Sequence, residues 1–118
     1  MRILVVEDHH DTLEVTRRIL AIQNHEITTA TTLSDAVRLC IKGKFDLVIC
    51  DIGLPDGDGW ELAKVARKCG CPAIAVTGYG MPSDIEKSKS AGFAEHLVKP
   101  FGIDDLSAAI ARVVPEGI

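Results

Sequence analysis

Phe45-Asp46-Leu47-Val48-Ile49-Cys50-Asp51-Ile52-Gly53-Leu54-Pro55-Asp56-Gly57-Asp58-Gly59 decides how the rest of the chain is read. Leu47 to Cys50 is an apolar run with the length and composition of a strand buried on both faces. Pro55, Gly57 and Gly59 then break the strand and open a loop. Asp51 falls at the junction, where an apolar strand meets solvent. In an open parallel α/β sheet, ligands bind outside the carboxyl ends of the strands. A carboxylate there serves as a nucleophile, a metal ligand or a loop cap, and the flanking sequence decides among them.

Working outward, the same unit recurs. Arg2 to Val6 is an apolar strand that ends on Glu7-Asp8. Asp11 and Glu14 have capping-box spacing, and Val15, Ile19 and Ile22, with Leu13 and Leu20 beside them, predict a helix. Glu26 to Ala30 is a Thr-rich, more polar strand suited to a sheet edge. Leu33, Ala36, Val37, Cys40 and Ile41 follow the i, i+3, i+4, i+7, i+8 pattern of a helix that Gly43 ends. Beyond the central loop, Asp58 and Glu61 again have capping-box spacing before a helix over Trp60 to Lys68. Ala73 to Thr77 is a strand ending on a hydroxyl. Ser83 and Glu86 then introduce a weakly apolar helix that Gly92 stops. Ala94 to Val98 is the last strand, ending at Lys99-Pro100, and Ile103, Leu106, Ile110 and Val113 line a final helix. Five βα units with short connections predict one three-layer α/β domain over residues 1–118 with right-handed crossovers.

Composition sets the limits. Of 118 residues, 17 are acidic and 13 basic, giving a net charge of −4. There is no basic patch, which argues against direct nucleic-acid binding. No apolar stretch approaches the ~20 residues needed to span a bilayer. Only four apolar residues separate Arg2 from Glu7, too few for a secretory signal, so a cytoplasmic protein is expected. Cys40 and Cys50 read as buried thiols. Cys69-Gly70-Cys71 has neither C-x-x-C spacing nor a second ligand pair, which favours ordinary reduced thiols over a metal or redox motif.

The strand ends converge on one sheet edge: Glu7 and Asp8, Asp51, Thr77 and Lys99. Neighbouring carboxylates repel by about 4 kcal/mol per pair at ~4 Å and an effective dielectric near 20. A divalent cation with oxygen ligands removes that cost, and Mg²⁺, which keeps waters or a phosphate oxygen, fits best. A lysine ammonium and a threonine hydroxyl are donors suited to phosphoryl oxygens. Together these groups suggest that Asp51 is a nucleophile forming an aspartyl phosphate.

The motifs ILVVED (3–8), FDLVICDIGLPDGDG (45–59), AVTGYG (75–80) and HLVKPF (96–101) resemble those of the receiver domains of bacterial two-component response regulators, from Arg2 to Val113. The likeness is greatest to receivers of hybrid sensor histidine kinases. The resemblance implies a flavodoxin-like sheet of strand order 2-1-3-4-5. It implies Mg²⁺, or Mn²⁺ in its place, on Glu7, Asp8, Asp51 and the Gly53 carbonyl. It further implies Asp51 as phosphoacceptor, Thr77 and Lys99 on the phosphoryl group, and a cis Lys99-Pro100 bond. The implied donor is a histidine kinase or histidine phosphotransfer domain, with homodimerisation a family property. Such a domain phosphorylates itself and is not a turnover enzyme, although its parent protein can be a kinase.

Several positions depart from the family pattern. Glu7 stands where aspartate is commoner. His96 occupies the aromatic switch position that acts with Thr77. Gly53 and Tyr79 lie where side chains tune the lifetime of the phosphoryl group. His9 and His10 are expected to face solvent rather than bind a soft metal. Rival readings fail at particular residues. An aspartate-nucleophile phosphatase needs a second aspartate where Gly53 stands, and a flavodoxin-type carrier would meet repulsion between Glu7-Asp8 and its phosphate. A stand-alone phosphate shuttle and an unphosphorylated pseudo-receiver are the remaining alternatives.

Overall fold

The computed structural model describes residues 1–78 and 82–114, the side chains of 58, 82–85 and 88 excepted. Five strands form a parallel sheet: β1 (Arg2–Val6), β2 (Glu26–Ala30), β3 (Leu47–Asp51), β6 (Ala73–Thr77) and β7 (Glu95–Val98). Their order is β2-β1-β3-β6-β7, which is the expected 2-1-3-4-5 order among the sheet strands. Five helices intervene: α1 (His10–Ile22), α2 (Leu33–Lys42), α3 (Trp60–Lys68), α4 (Pro82–Ala91) and α5 (Ile103–Val113). A short antiparallel hairpin, β4 (Gly53–Leu54) with β5 (Gly57–Asp58), lies inside the loop after β3 and was not foreseen.

The pleat of the sheet sorts its side chains into two cores. Leu4, Val6, Val48, Cys50, Ala73 and Ala75 point to one face and bury Leu33, Ala36 and Cys40 of α2 with Leu62, Ala63 and Ala66 of α3. Ile3, Val5, Leu47, Ile49, Ile74 and Val76 point to the other, against Leu13 and Leu20 of α1 and Leu106, Ala109 and Ile110 of α5. Each fully buried Leu or Ile contributes about 1.5–3 kcal/mol by leaving water. Consecutive residues of β1 and β3 are thus both core, which is why these strands read as unbroken apolar runs.

Helix faces and caps were read less well. On α1 the buried face is Leu13, Thr16 and Leu20, whereas Val15 and Ile22 are 58% and 81% exposed. Thr16 can be buried because its hydroxyl donates to the Thr12 carbonyl at 2.8 Å. On α2, Ile41 is likewise exposed, and on α5 so is Ile103. The proposed capping boxes at Asp11 and Asp58 are replaced by N-caps one or two residues away, at His9 and Gly59, neither with a side-chain cap bond. Glu14 instead accepts from Arg17 and Arg18 within its own helix. The Ser83 cap lies outside the described side chains.

The best-capped helix, α2, is held from outside its own sequence. Asp56, at the tip of the hairpin, accepts from the Leu33 and Ser34 N–H groups at 2.7 and 2.9 Å, and Thr32 accepts from Asp35 N–H. A helix N-terminus has unpaired N–H donors and a partial positive charge, so a carboxylate there is stabilised. Those bonds hold the Asp56 carboxyl below its ordinary value. All four cysteines are free thiols. Burial pushes Cys40 up to about 11 and Cys71 up to about 12, so both remain protonated.

Candidate functional site

Ladder bonds run past the strands and set the site. Glu7 N–H donates to the Ala30 carbonyl at 3.0 Å, Ile52 N–H to Val76 at 3.0 Å and Lys99 N–H to Thr77 at 2.8 Å. The residues that follow β1, β3, β6 and β7 are therefore fixed along one edge. Lys99 reaches across it: its ammonium lies 2.6 Å from Glu7 Oε1 and 2.9 Å from Asp51 Oδ2. The other Asp51 oxygen accepts from Gly53 N–H at 3.0 Å, and Glu7 Oε2 accepts from His9 N–H at 3.2 Å. Glu7, Asp51 and Thr77 are all buried.

Burial of two neighbouring carboxyls divides their acidities. Burial itself, then the Asp51 carboxylate beside it, pushes Glu7 up to about 7 against the pull of Lys99. Asp51 goes the other way. Burial would raise it, but hydrogen bonds from Glu7, Lys99 and the Gly53 N–H hold it below its ordinary value. Burial would lower Lys99, yet the two carboxylates raise it. The two carboxyls titrate as a coupled pair, with the proton favouring Glu7 and the charge favouring Asp51. An ionised, partly screened carboxylate at a strand end is a competent nucleophile.

Asp8 is exposed and stands next to Glu7. One ligand atom each from Glu7, Asp8 and His9 lies within 4.8 Å of the others, a spacing that one ion can span. Asp51 stands just outside this group, turned to Lys99 and Gly53. His9 and His10 are both exposed, as expected, and His10 begins α1. His9 is the N-cap residue of α1, with extended backbone. The peptide between Lys99 and Pro100 is cis. His96 is half-buried on the edge strand β7. Tyr79 lies outside the described residues.

A Cβ built on Gly53 would meet only Asp51 Oδ1, at 3.9 Å, an ordinary contact. Gly53→Met is therefore expected to melt within about 2 °C of wild type, as a substitution without strain does. The methionine side chain is expected to cover the Asp51 carboxylate, so that a phosphoryl group installed there with acetyl phosphate lasts several-fold longer. Phosphoryl loss followed by intact mass checks this, and an unchanged lifetime refutes it.

A doubly wound parallel sheet with a carboxylate–lysine cluster at its carboxyl edge defines a flavodoxin-like α/β domain with an aspartate-centred site. Residues 3–111 match the response regulator receiver domain, and the chain belongs to that family. It is a receiver domain of two-component systems. It is 30% identical to the transcriptional regulatory protein CusR of Escherichia coli K12 over 99% of this chain and 52% of that protein. It is 32% identical to the two-component response regulator ARR12 of Arabidopsis thaliana over 97% of this chain and 20% of that protein. The chain thus spans about half of CusR and a fifth of ARR12. Among solved structures, a CheY-like receiver domain protein from Methanospirillum hungatei JF-1 superposes with a TM-score of 0.85 at 33% identity, covering 92% of this chain and 89% of that one. The receiver domain of sensor histidine kinase PA1611 from Pseudomonas aeruginosa PAO1 has magnesium in its active site cleft. It superposes with a TM-score of 0.88 at 27% identity, covering 98% of each chain. No helix of the described residues is long and apolar enough to cross a membrane.

Proposed function

We propose that Asp51 accepts a phosphoryl group from the phosphohistidine of a histidine kinase or histidine phosphotransfer domain. The observation that carries this is the Lys99 ammonium, held between the buried carboxyls of Asp51 and Glu7 at the end of the central strand. An Asp51 oxygen attacks phosphorus in line, the P–N bond breaks, and its electron pair returns to the leaving imidazole. Lys99 leaves Asp51 for a phosphoryl oxygen, and the Thr77 hydroxyl donates to another. The excess of carboxylates, with Glu7 driven toward protonation, fits a divalent cation. Glu7, Asp8, Asp51 and the Gly53 carbonyl would hold Mg²⁺, as the PA1611 receiver's cleft does. The ion would neutralise charge on the phosphoryl oxygens during transfer.

The displacement of Thr77 and Lys99 is transmitted to the surface of β7 and α5, where His96 takes the switch position. A cleft of about 280 Å³ there is lined by His96, Val98, Phe101 and Arg112 among others. This is the surface through which we place partner contact and homodimerisation. We assign the chain to one domain of a hybrid sensor histidine kinase, on its likeness to the PA1611 receiver. The CusR relationship favours a second reading, the receiver portion of a transcription regulator whose DNA contacts lie elsewhere. Free thiols suit a cytoplasmic setting.

Incubated with acetyl phosphate and Mg²⁺, the wild type is expected to gain the mass of one phosphoryl group, and Asp51→Asn none. Removing Mg²⁺ with EDTA is expected to stop the gain. Equal labelling of the Asp51→Asn variant would overturn the assignment. Beryllofluoride is expected to shift amide signals along β7 and α5 in wild type, and fewer of them in His96→Ala.

A further inference from the structure

We infer that His9 is a direct nitrogen ligand of the divalent ion, and that it biases this site toward first-row transition metals such as Mn²⁺ over Mg²⁺. The inference rests on the metal site described above and adds a ligand to it. Three observations carry it. One ligand atom of His9 lies within 4.8 Å of oxygens of both Glu7 and Asp8, close enough for a single ion to touch all three. The imidazole is exposed and makes no side-chain cap bond at the N-cap position of α1, so it can turn to an ion at Glu7 and Asp8 without breaking a cap. Its own N–H donates to Glu7 Oε2 at 3.2 Å, which fixes the backbone of His9 against the carboxyl it would share an ion with.

The chemistry follows from the donor set. Glu7 and Asp8 alone offer hard oxygen donors, which suit Mg²⁺ and Ca²⁺. Imidazole is a borderline donor that Mg²⁺ seldom takes, whereas first-row ions accept it in the order Mn²⁺ < Fe²⁺ < Co²⁺ < Ni²⁺ < Cu²⁺. Replacing one water by this nitrogen therefore raises affinity for Mn²⁺ while leaving Mg²⁺ nearly unaffected. His10, one residue on and inside α1, takes no part in the group and serves as an internal control.

Mn²⁺ reports its own ligands. With Mn²⁺ added to the metal-free domain, pulsed electron paramagnetic resonance is expected to show the ¹⁴N modulation of a coordinated imidazole in wild type and in His10→Ala, and to lose it in His9→Ala. Titrations followed by Trp60 fluorescence are expected to give a Mn²⁺-to-Mg²⁺ affinity ratio at least about tenfold smaller in His9→Ala, since even partners behind a metal ligand are worth that much. Binding of both ions by wild type without nitrogen coupling would overturn the role of His9 and leave the oxygen site standing. Binding of neither ion would overturn both. The wild-type spectrum decides the coordination even if His9→Ala does not fold.

Discussion

Gly59→Ala is expected to lower the melting temperature by about 4–12 °C, from ~1–3 kcal/mol of overpacking in a chain that loses roughly 4 °C per kcal/mol. A Cβ on Gly59 would stand 2.6 Å from the Asp51 carbonyl oxygen, 2.9 Å from Cys50 Sγ and 3.1 Å from Ile52 Cα. Two of these are backbone atoms of the segment that carries the Asp51 carboxylate, and the Gly59 N–H is already bonded to the Ile52 carbonyl at 2.8 Å. The backbone of Gly59 has an ordinary helical φ of −68°, so the requirement for glycine is close approach and not conformation. Relief of the clash displaces Asp51 relative to Lys99, so acetyl phosphate labelling is expected to slow even well below the melting temperature. Thermal melts with intact-mass kinetics check both parts. A variant that melts with wild type would show that α3 can withdraw from β3 without cost.

Glu7→Gln is expected to act in the opposite direction on stability. In the metal-free protein Glu7 is held up at about 7, above the 4.5 of a free glutamate, so the folded state binds its proton more tightly than the unfolded chain does. Stability from this residue is therefore present at acid pH and lost as pH rises through about 7. Asp51, held below its ordinary value, has the opposite slope, but only at pH values below that range. The glutamine amide keeps a donor toward Asp51 and removes the charge. Neutralising a crowded buried charge gains about 1–2 kcal/mol, which at pH 8 amounts to a rise of about 4–8 °C. The same change removes a carboxylate from the proposed Mg²⁺ site, so Mg²⁺ binding is expected to weaken by at least tenfold, with a loss of its dependence on pH between about 5.5 and 7.5. Melting in EDTA at both ends of that range, with Mg²⁺ titrations, checks the prediction. A Glu7→Gln protein that melts below wild type at pH 8 would mean that Lys99 more than compensates both acids.

The sheet was readable because inner strands of a parallel sheet covered on both faces are apolar runs, and β1, β3 and β6 fall where those runs fall. The grouping of Glu7, Asp51, Thr77 and Lys99 was readable for the same reason: strand ends in this architecture share an edge. What escaped was decided across space. Thr16 replaces Val15 on the buried face of α1 because its hydroxyl has a partner one turn back, which hydrophobic periodicity does not register. The cap of α2 comes from Asp56, more than 20 residues downstream, whereas Pro55 and Gly57 beside it signalled no more than a turn. His9 faces solvent as read, and only its nearness to Glu7 and Asp8 is a matter of the fold.

The Asp56 tether has a bearing on how the domain responds to a new charge. The loop downstream of the acceptor is tied to α2 by two bonds at Asp56, and a Cβ at Gly57 would stand 2.8 Å from Leu33. The β3–α3 side of the site is accordingly braced and α2 with it. Charge added at Asp51 would meet a braced loop on this flank. The loop after β3 and the start of α2 are in this sense one mechanical piece, joined at Asp56 and packed at Gly57.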